Sequence, residues 1–138
     1  MDKEQAYILN LDECPSTAKS FVIDYDGKIV GNGKNSISQY FLKPCWLEQD
    51  LKFIWKKQLK SCKEAIEDAR ISPAQIKAID VATQRETIVF WDKKNREPFH
   101  RAIIWQDKRT SEIEENIKRE YEGWKKAVKK SLGWANDR

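Results

Sequence analysis

An α/β domain is the fold class this sequence predicts: a mixed sheet of about five or six strands with one long helix across a face. Three observations predict it. Short apolar segments separated by turn residues open the chain. A stretch with helical apolar spacing follows, near residues 50–70. Further β-rich segments then return between Lys77 and Trp105.

Taken in order, Ala6–Leu11 is a first strand, and Asp12–Thr17 is a turn punctuated by Pro15. Ser20–Asp24 is a second strand, closed by Tyr25-Asp26-Gly27-Lys28, where Asp-Gly marks a hairpin. Ile29 and Val30 open a third strand, which Gly31-Asn32-Gly33 should bend or interrupt before Ser36–Phe41 continues it. Pro44 and the polar residues after Trp46 read as a loop. Asp50 is placed to cap a helix that reaches about Arg70. Leu51, Ile54, Trp55, Leu59, Cys62, Ala65, Ile66 and Ala69 recur at helical spacing, so Trp55 and Cys62 are expected in the core. Ser72-Pro73 starts one short helical turn. Strands are expected over Lys77–Thr83, Glu86–Trp91 and Pro98–Trp105, with a polar turn at Lys93–Arg96. From Thr110 to Leu132 the spacing is helical again, as one helix or two broken near Gly123. Trp124, Val128 and Trp134 are expected to cover the sheet or another exposed face.

The 138 residues suit a single domain with a modest core. Charged residues are 35% and hydrophobic residues 40%, a globular rather than a disordered balance. The net charge of +4 is well mixed along the chain, which argues for a solvated surface and against nucleic acid as a partner. The start, Met1-Asp2-Lys3-Glu4-Gln5, is polar, and no apolar run approaches membrane-spanning length. The expectation is a cytoplasmic protein with no membrane partner. Cys14, Cys45 and Cys62 show neither metal-ligand spacing nor a disulfide framework, and His100 is the only histidine.

The chemistry concentrates at Gln84-Arg85-Glu86, between two β-rich runs. Strand ends of α/β folds often carry ligand groups. Arg85 offers a fork of donors and Glu86 two acceptor oxygens, a set that suits hydroxyls that both donate and accept. The same residues also fit an ion pair on a solvated turn. Ala82-Thr83-Gln84-Arg85-Glu86-Thr87 resembles the substrate-binding corner of glycerol kinases, in the FGGY family of carbohydrate kinases. Ala102-Ile103-Ile104-Trp105-Gln106-Asp107-Lys108-Arg109-Thr110 is similar to the next family segment, and Lys43-Pro44-Cys45-Trp46-Leu47-Glu48 resembles the family's lysine-proline-glycine-tryptophan-valine-glutamate run. Three matches in order make the resemblance specific.

The resemblance implies a ribonuclease H-like fold, as in actin and hexokinase, corresponding to a truncated N-terminal domain of FGGY kinases. It implies ATP-dependent phosphorylation of glycerol, or a similar small polyol, with Mg²⁺. Arg85, Glu86 and Gln84 would hold the polyol, and Trp105 would pack on its carbon edge. Asp12 would face the metal, with Ser16, Thr17 and Lys19 near the nucleotide phosphates. The family's phosphate segment reads aspartate-glutamine-glycine-threonine-threonine-serine-serine-arginine. Here Cys14 replaces the glycine, Pro15 removes an N–H donor, and Glu13 adds negative charge. Residues 1–120 match the family's N-terminal domain, whereas 121–138, Tyr121-Glu122-Gly123-Trp124 onward, resemble its carboxyl terminus. The join would lie near Arg119–Tyr121. On this reading the catalytic aspartate lies outside the chain, which would be inactive alone. The alternative is a non-catalytic module that presents its exposed interdomain face to a protein partner.

Overall fold

The computed structural model describes residues 6–133. β1 (Tyr7–Cys14), β2 (Thr17–Ile23) and β3 (Ile29–Ser36) form an antiparallel meander. β4 (Tyr40–Lys43) and β5 (Trp46–Gln49) follow, then α1 (Leu51–Asp68) and a 3₁₀ turn at Pro73–Gln75. β6 (Ile76–Ala82) returns parallel to β1, and β7 (Ala102–Ile103) precedes α2 (Ser111–Gly133). The strands make two sheets, not the single one expected: β3-β2-β1-β6, and a smaller β4-β5-β7.

The helix α1 starts where Asp50 accepts a hydrogen bond from the Phe53 N–H at 2.9 Å. It lies on β2 and β3 at unusually short range. A Cβ built on Gly33 would stand 2.1 Å from the Ser61 carbonyl oxygen, and one on Gly31 2.3 Å from that of Ala65. The glycines therefore do not interrupt β3; they let the helix backbone sit on it. The contact is small and partly polar. Gln58 donates to Ser20 Oγ (2.9 Å) and to the Lys19 carbonyl (3.0 Å), and Ser20 Oγ meets Ser61 Oγ at 2.8 Å. Leu9, Val22 and Ala65 form the apolar core, with Cys62 packed against it as expected.

Trp55 is not core: it is 62% exposed. Because α1 covers β2 and β3, its Trp55 flank overhangs β6, and β6 is exposed nearly throughout. Other boundaries also move. β1 continues to Cys14, so the first turn is only Pro15–Ser16. The third strand stops at Ser36, and Tyr40 begins the second sheet instead of continuing the first. The expected loop after Trp46 is β5, whose Leu47, Glu48 and Gln49 are buried. Glu86–Trp91 and Pro98–Trp105 make only β7 and the bridges Ile88–Ile103 and Trp91–Pro98. The expected polar turn at 93–95 is present. α2 is one helix, unbroken at Gly123, but its Ile113, Ile117, Tyr121 and Trp124 are exposed rather than packed on a sheet. Trp134 lies outside the described residues.

Candidate functional site

Three segments far apart in sequence meet around the Pro15 carbonyl. The buried Gln49, at the end of β5, donates its amide to the Pro15 oxygen at 2.5 Å. Gln84 Nε2 donates in turn to Gln49 Oε1 at 3.0 Å and lies 3.3 Å from Glu13 Oε1. Gln39 Nε2 bridges the Pro15 oxygen (3.4 Å) and Gln106 Oε1 (3.5 Å). The Pro15–Ser16 turn, the 84–86 corner and the 105–106 segment are thus joined through side-chain amides. Amides suit this junction because each offers both a donor and an acceptor.

The sequence-predicted residues occupy this end of the fold to different degrees. Gln84 is half-buried and joined to the network, whereas Arg85 and Glu86 are exposed beyond it. Glu86 adopts φ 61°, a left-handed backbone that is uncommon for glutamate and is often found at ligand sites. Trp105 is 55% exposed beside Gln106. Asp12 is half-buried opposite Lys19 in the β1–β2 ladder, with the Lys19 ammonium 3.4 Å from its carboxylate. Cys14 Sγ stands 3.4 Å from the other Asp12 oxygen, and burial pushes the Cys14 thiol pKa up. Thr17 opens β2, and Ser16 is exposed in the turn. Burial also raises the Glu13 carboxyl above its ordinary range, against the lowering effect of Gln84.

A second cluster was not legible in the sequence. Arg109 clasps Asp107 through Nε (2.8 Å) and Nη2 (2.9 Å), and reaches the fully buried Glu48 at 2.8 Å. Its guanidinium also lies 4.0 Å from the Trp46 ring centre. Asp107 accepts the Leu47 N–H at 2.6 Å. The Arg109 hydrogen bonds hold the Asp107 carboxyl down to about 2. This clasp ties the segment after Trp105 to β5, one residue from Gln49. Gln49 and Glu48 gave no local signal, because their partners lie 34 and 61 residues away.

Nearly all of the described chain is aligned with one family. The N-terminal domain model of the FGGY family of carbohydrate kinases matches residues 7–136. The chain belongs to the FGGY family. It is 41% identical over 131 residues to glycerol kinase of Thermococcus onnurineus, covering 95% of this chain and 26% of that protein. It is 43% identical over 117 residues to glycerol kinase of Thermococcus kodakarensis, covering 85% and 23%. A crystal structure of Plasmodium falciparum glycerol kinase with ADP superposes with TM-score 0.68 and 27% identity, over 79% of this chain and 22% of that one. Gluconate kinase from Lactobacillus acidophilus shares the fold at TM-score 0.72 and 23% identity, over 84% and 23%. The FGGY chain described here spans about a quarter of the length of the curated relatives it matches. The fold is accordingly the mixed α/β fold of FGGY N-terminal domains.

Proposed function

We propose that this chain carries the polyol half of a glycerol kinase-type site and does not phosphorylate glycerol by itself. The observation that carries the reading is the amide network, which brings the Gln84-Arg85-Glu86 corner and the Trp105–Gln106 segment to the Pro15 turn. Arg85 and Glu86 would donate to and accept from glycerol hydroxyls, and Trp105 would cover its carbon edge. The similarity to glycerol kinases supports glycerol, or a closely similar small polyol, as the ligand.

The nucleotide side matches less well. The likeness to glycerol kinases implies ATP with Mg²⁺, and by that likeness Asp12 would be the carboxylate that faces the metal. Asp12 is, however, already paired with Lys19, and among the described residues no three His, Cys, Asp or Glu side chains cluster as metal ligands. Pro15 has no N–H to offer a phosphate, and its carbonyl is engaged by Gln49 and Gln39. Glu13 adds a carboxyl beside the turn. These residues are a poor match for a triphosphate, and no transfer step is assigned to them. Among the described residues no helix is long and apolar enough to cross a membrane. A ¹H–¹⁵N titration with glycerol tests the polyol reading. The expected result is saturable shifts at Arg85, Glu86 and the Trp105 indole, lost in Arg85→Ala. Shifts elsewhere, or none at molar glycerol, would refute it.

A further inference from the structure

We propose that Gln49 is a positioning residue: its buried amide fixes the Gln84-Arg85-Glu86 corner on the Pro15 turn in one orientation. The inference rests on the polyol reading for its consequence in binding, but the positioning itself can be measured without a ligand.

The chain of amides has a fixed direction, and Pro15 sets it. A carbonyl oxygen can only accept, and proline has no N–H to offer beside it. Gln49 must therefore turn its Nε2 toward that oxygen (2.5 Å), which leaves Oε1 facing Gln84. Gln84 must answer with its own Nε2, at 3.0 Å. The same Nε2 lies 3.3 Å from Glu13 Oε1, and a carboxylate also only accepts. Both ends of the chain of amides are thus acceptors. Neither glutamine can turn over without setting oxygen against oxygen. The orientation is imposed on Gln84 rather than chosen by it: among the described residues its Oε1 is buried without a hydrogen-bond partner. An amide free to turn would point that oxygen at a donor.

Two features single out Gln49 within the junction. The first is closure. Glu13 and Pro15 straddle the end of β1, and Gln84 is tied to both, to Glu13 directly and to Pro15 through Gln49. Two attachments fix the direction of a corner, where one fixes only its distance. The second is burial. Gln49 is 0% exposed, so water cannot stand in for either of its bonds. Gln39 also reaches the Pro15 oxygen, but at 3.4 Å and from a half-buried position where water can replace it. Arg85 and Glu86 follow Gln84 directly and are exposed, so the held Gln84 is what aims them.

NMR of the full chain and two variants tests the proposal, with circular dichroism to check the fold. Gln49→Met keeps the length of the side chain and loses both bonds. It should loosen Gln84 and its hold on Glu13, and so move the ¹³C carboxyl titration of Glu13 to higher pH. Glycerol affinity should fall by about tenfold, the worth of one hydrogen bond. Gln49→Glu supplies the reversal. Its new carboxyl, when neutral, donates an O–H to the Pro15 oxygen and accepts from Gln84, as the amide does; when ionised it can only accept. Glycerol affinity relative to the wild type at the same pH should stay near one while the new carboxyl is protonated, and fall about tenfold as it ionises. Taking the ratio at each pH sets aside the carboxyls common to both proteins. Three results would each overturn the proposal: Glu13 titrating unchanged or at lower pH in Gln49→Met, wild-type affinity in that variant, or affinity in Gln49→Glu indifferent to ionisation of the new carboxyl. If Gln49→Met does not fold, Gln49→Glu decides alone, through the same two readouts as its new carboxyl ionises. A wild type that does not bind glycerol would refute the polyol reading instead, and the Glu13 titration would still decide the positioning.

Discussion

Arg109 is the residue whose surroundings say most about how this end of the fold is held. Its guanidinium neutralises Glu48, which is 1% exposed, and Asp107, whose side chain is 4% exposed. Removing one partner of such a buried set leaves the other charge without compensation. Arg109→Ala should therefore destabilise the chain by about 3–5 kcal/mol in urea denaturation. Arg109→Lys keeps the charge but loses the fork, and should recover only part of that loss. The same set gives a pH dependence. The Asp107 carboxyl is held at about 2 when folded, below its ordinary value of 3.8. Its contribution, roughly 2 kcal/mol, is present above pH ~4 and is lost as pH falls toward 2. Glu13 acts in the opposite sense: its raised folded pKa favours the fold in acid and costs stability as pH rises through and above its ordinary value of 4.5. Glu13→Gln should thus flatten the fall in stability above pH ~4.5, whereas Asp107→Asn should flatten the acid limb. Cys45 offers a gain. It adopts φ 69° in the turn between β4 and β5, where the family run that it resembles carries glycine. Cys45→Gly should stabilise by about 0.5–1 kcal/mol, because a left-handed backbone suits glycine and strains cysteine. A lowered or unchanged denaturation midpoint would count against that strain.

At the scale of elements, α1 on β3 is the decisive contact. Gly31 and Gly33 bring a helix backbone within reach of a strand backbone, and nothing at those positions can yield cheaply. Gly33→Ala should cost about 2–3 kcal/mol, read from the denaturation midpoint, because the new methyl meets the Ser61 carbonyl rather than a flexible side chain. Tolerance of alanine there would mean that the helix rides higher than described. This contact also marks what could be read in advance. Asp50, Ser72 and the Asp26-Gly27 turn acted through bonds to near neighbours, so their elements were legible. Gly31 and Gly33 were misread as breakers because their reason lies on a helix thirty residues away. β5 was misread because Glu48 and Gln49 are polar, and only the distant Arg109, Pro15 and Gln84 make their burial affordable. The proposed site at Gln84-Arg85-Glu86 rests on residue types and family likeness, whereas the amides that join that corner to the Pro15 turn carried no signature of their own. Trp55 followed helical spacing faithfully, but periodicity alone does not say which strands a helix will cover.

On the scale of the whole molecule, the chain is an FGGY N-terminal domain fold with an uncovered edge strand and a projecting helix. Among the described residues β6 is an edge strand with Ile79 and Val81 exposed, and such an edge is a template for further strand pairing. On the proposed reading the amide-joined corner would hold a polyol, while the Pro15 turn beside it would offer phosphates one N–H fewer. Phosphoryl transfer depends on positioning and charge stabilisation, and a positioned base contributes about 10²–10⁴-fold in rate. The central claim is that this chain holds the polyol half-site without catalysing transfer. A coupled assay of the purified 138-residue chain with glycerol, ATP and Mg²⁺ tests it most directly. The account predicts no glycerol-dependent ADP formation above the protein-free background. Turnover that depends on glycerol and disappears in Arg85→Ala would contradict it.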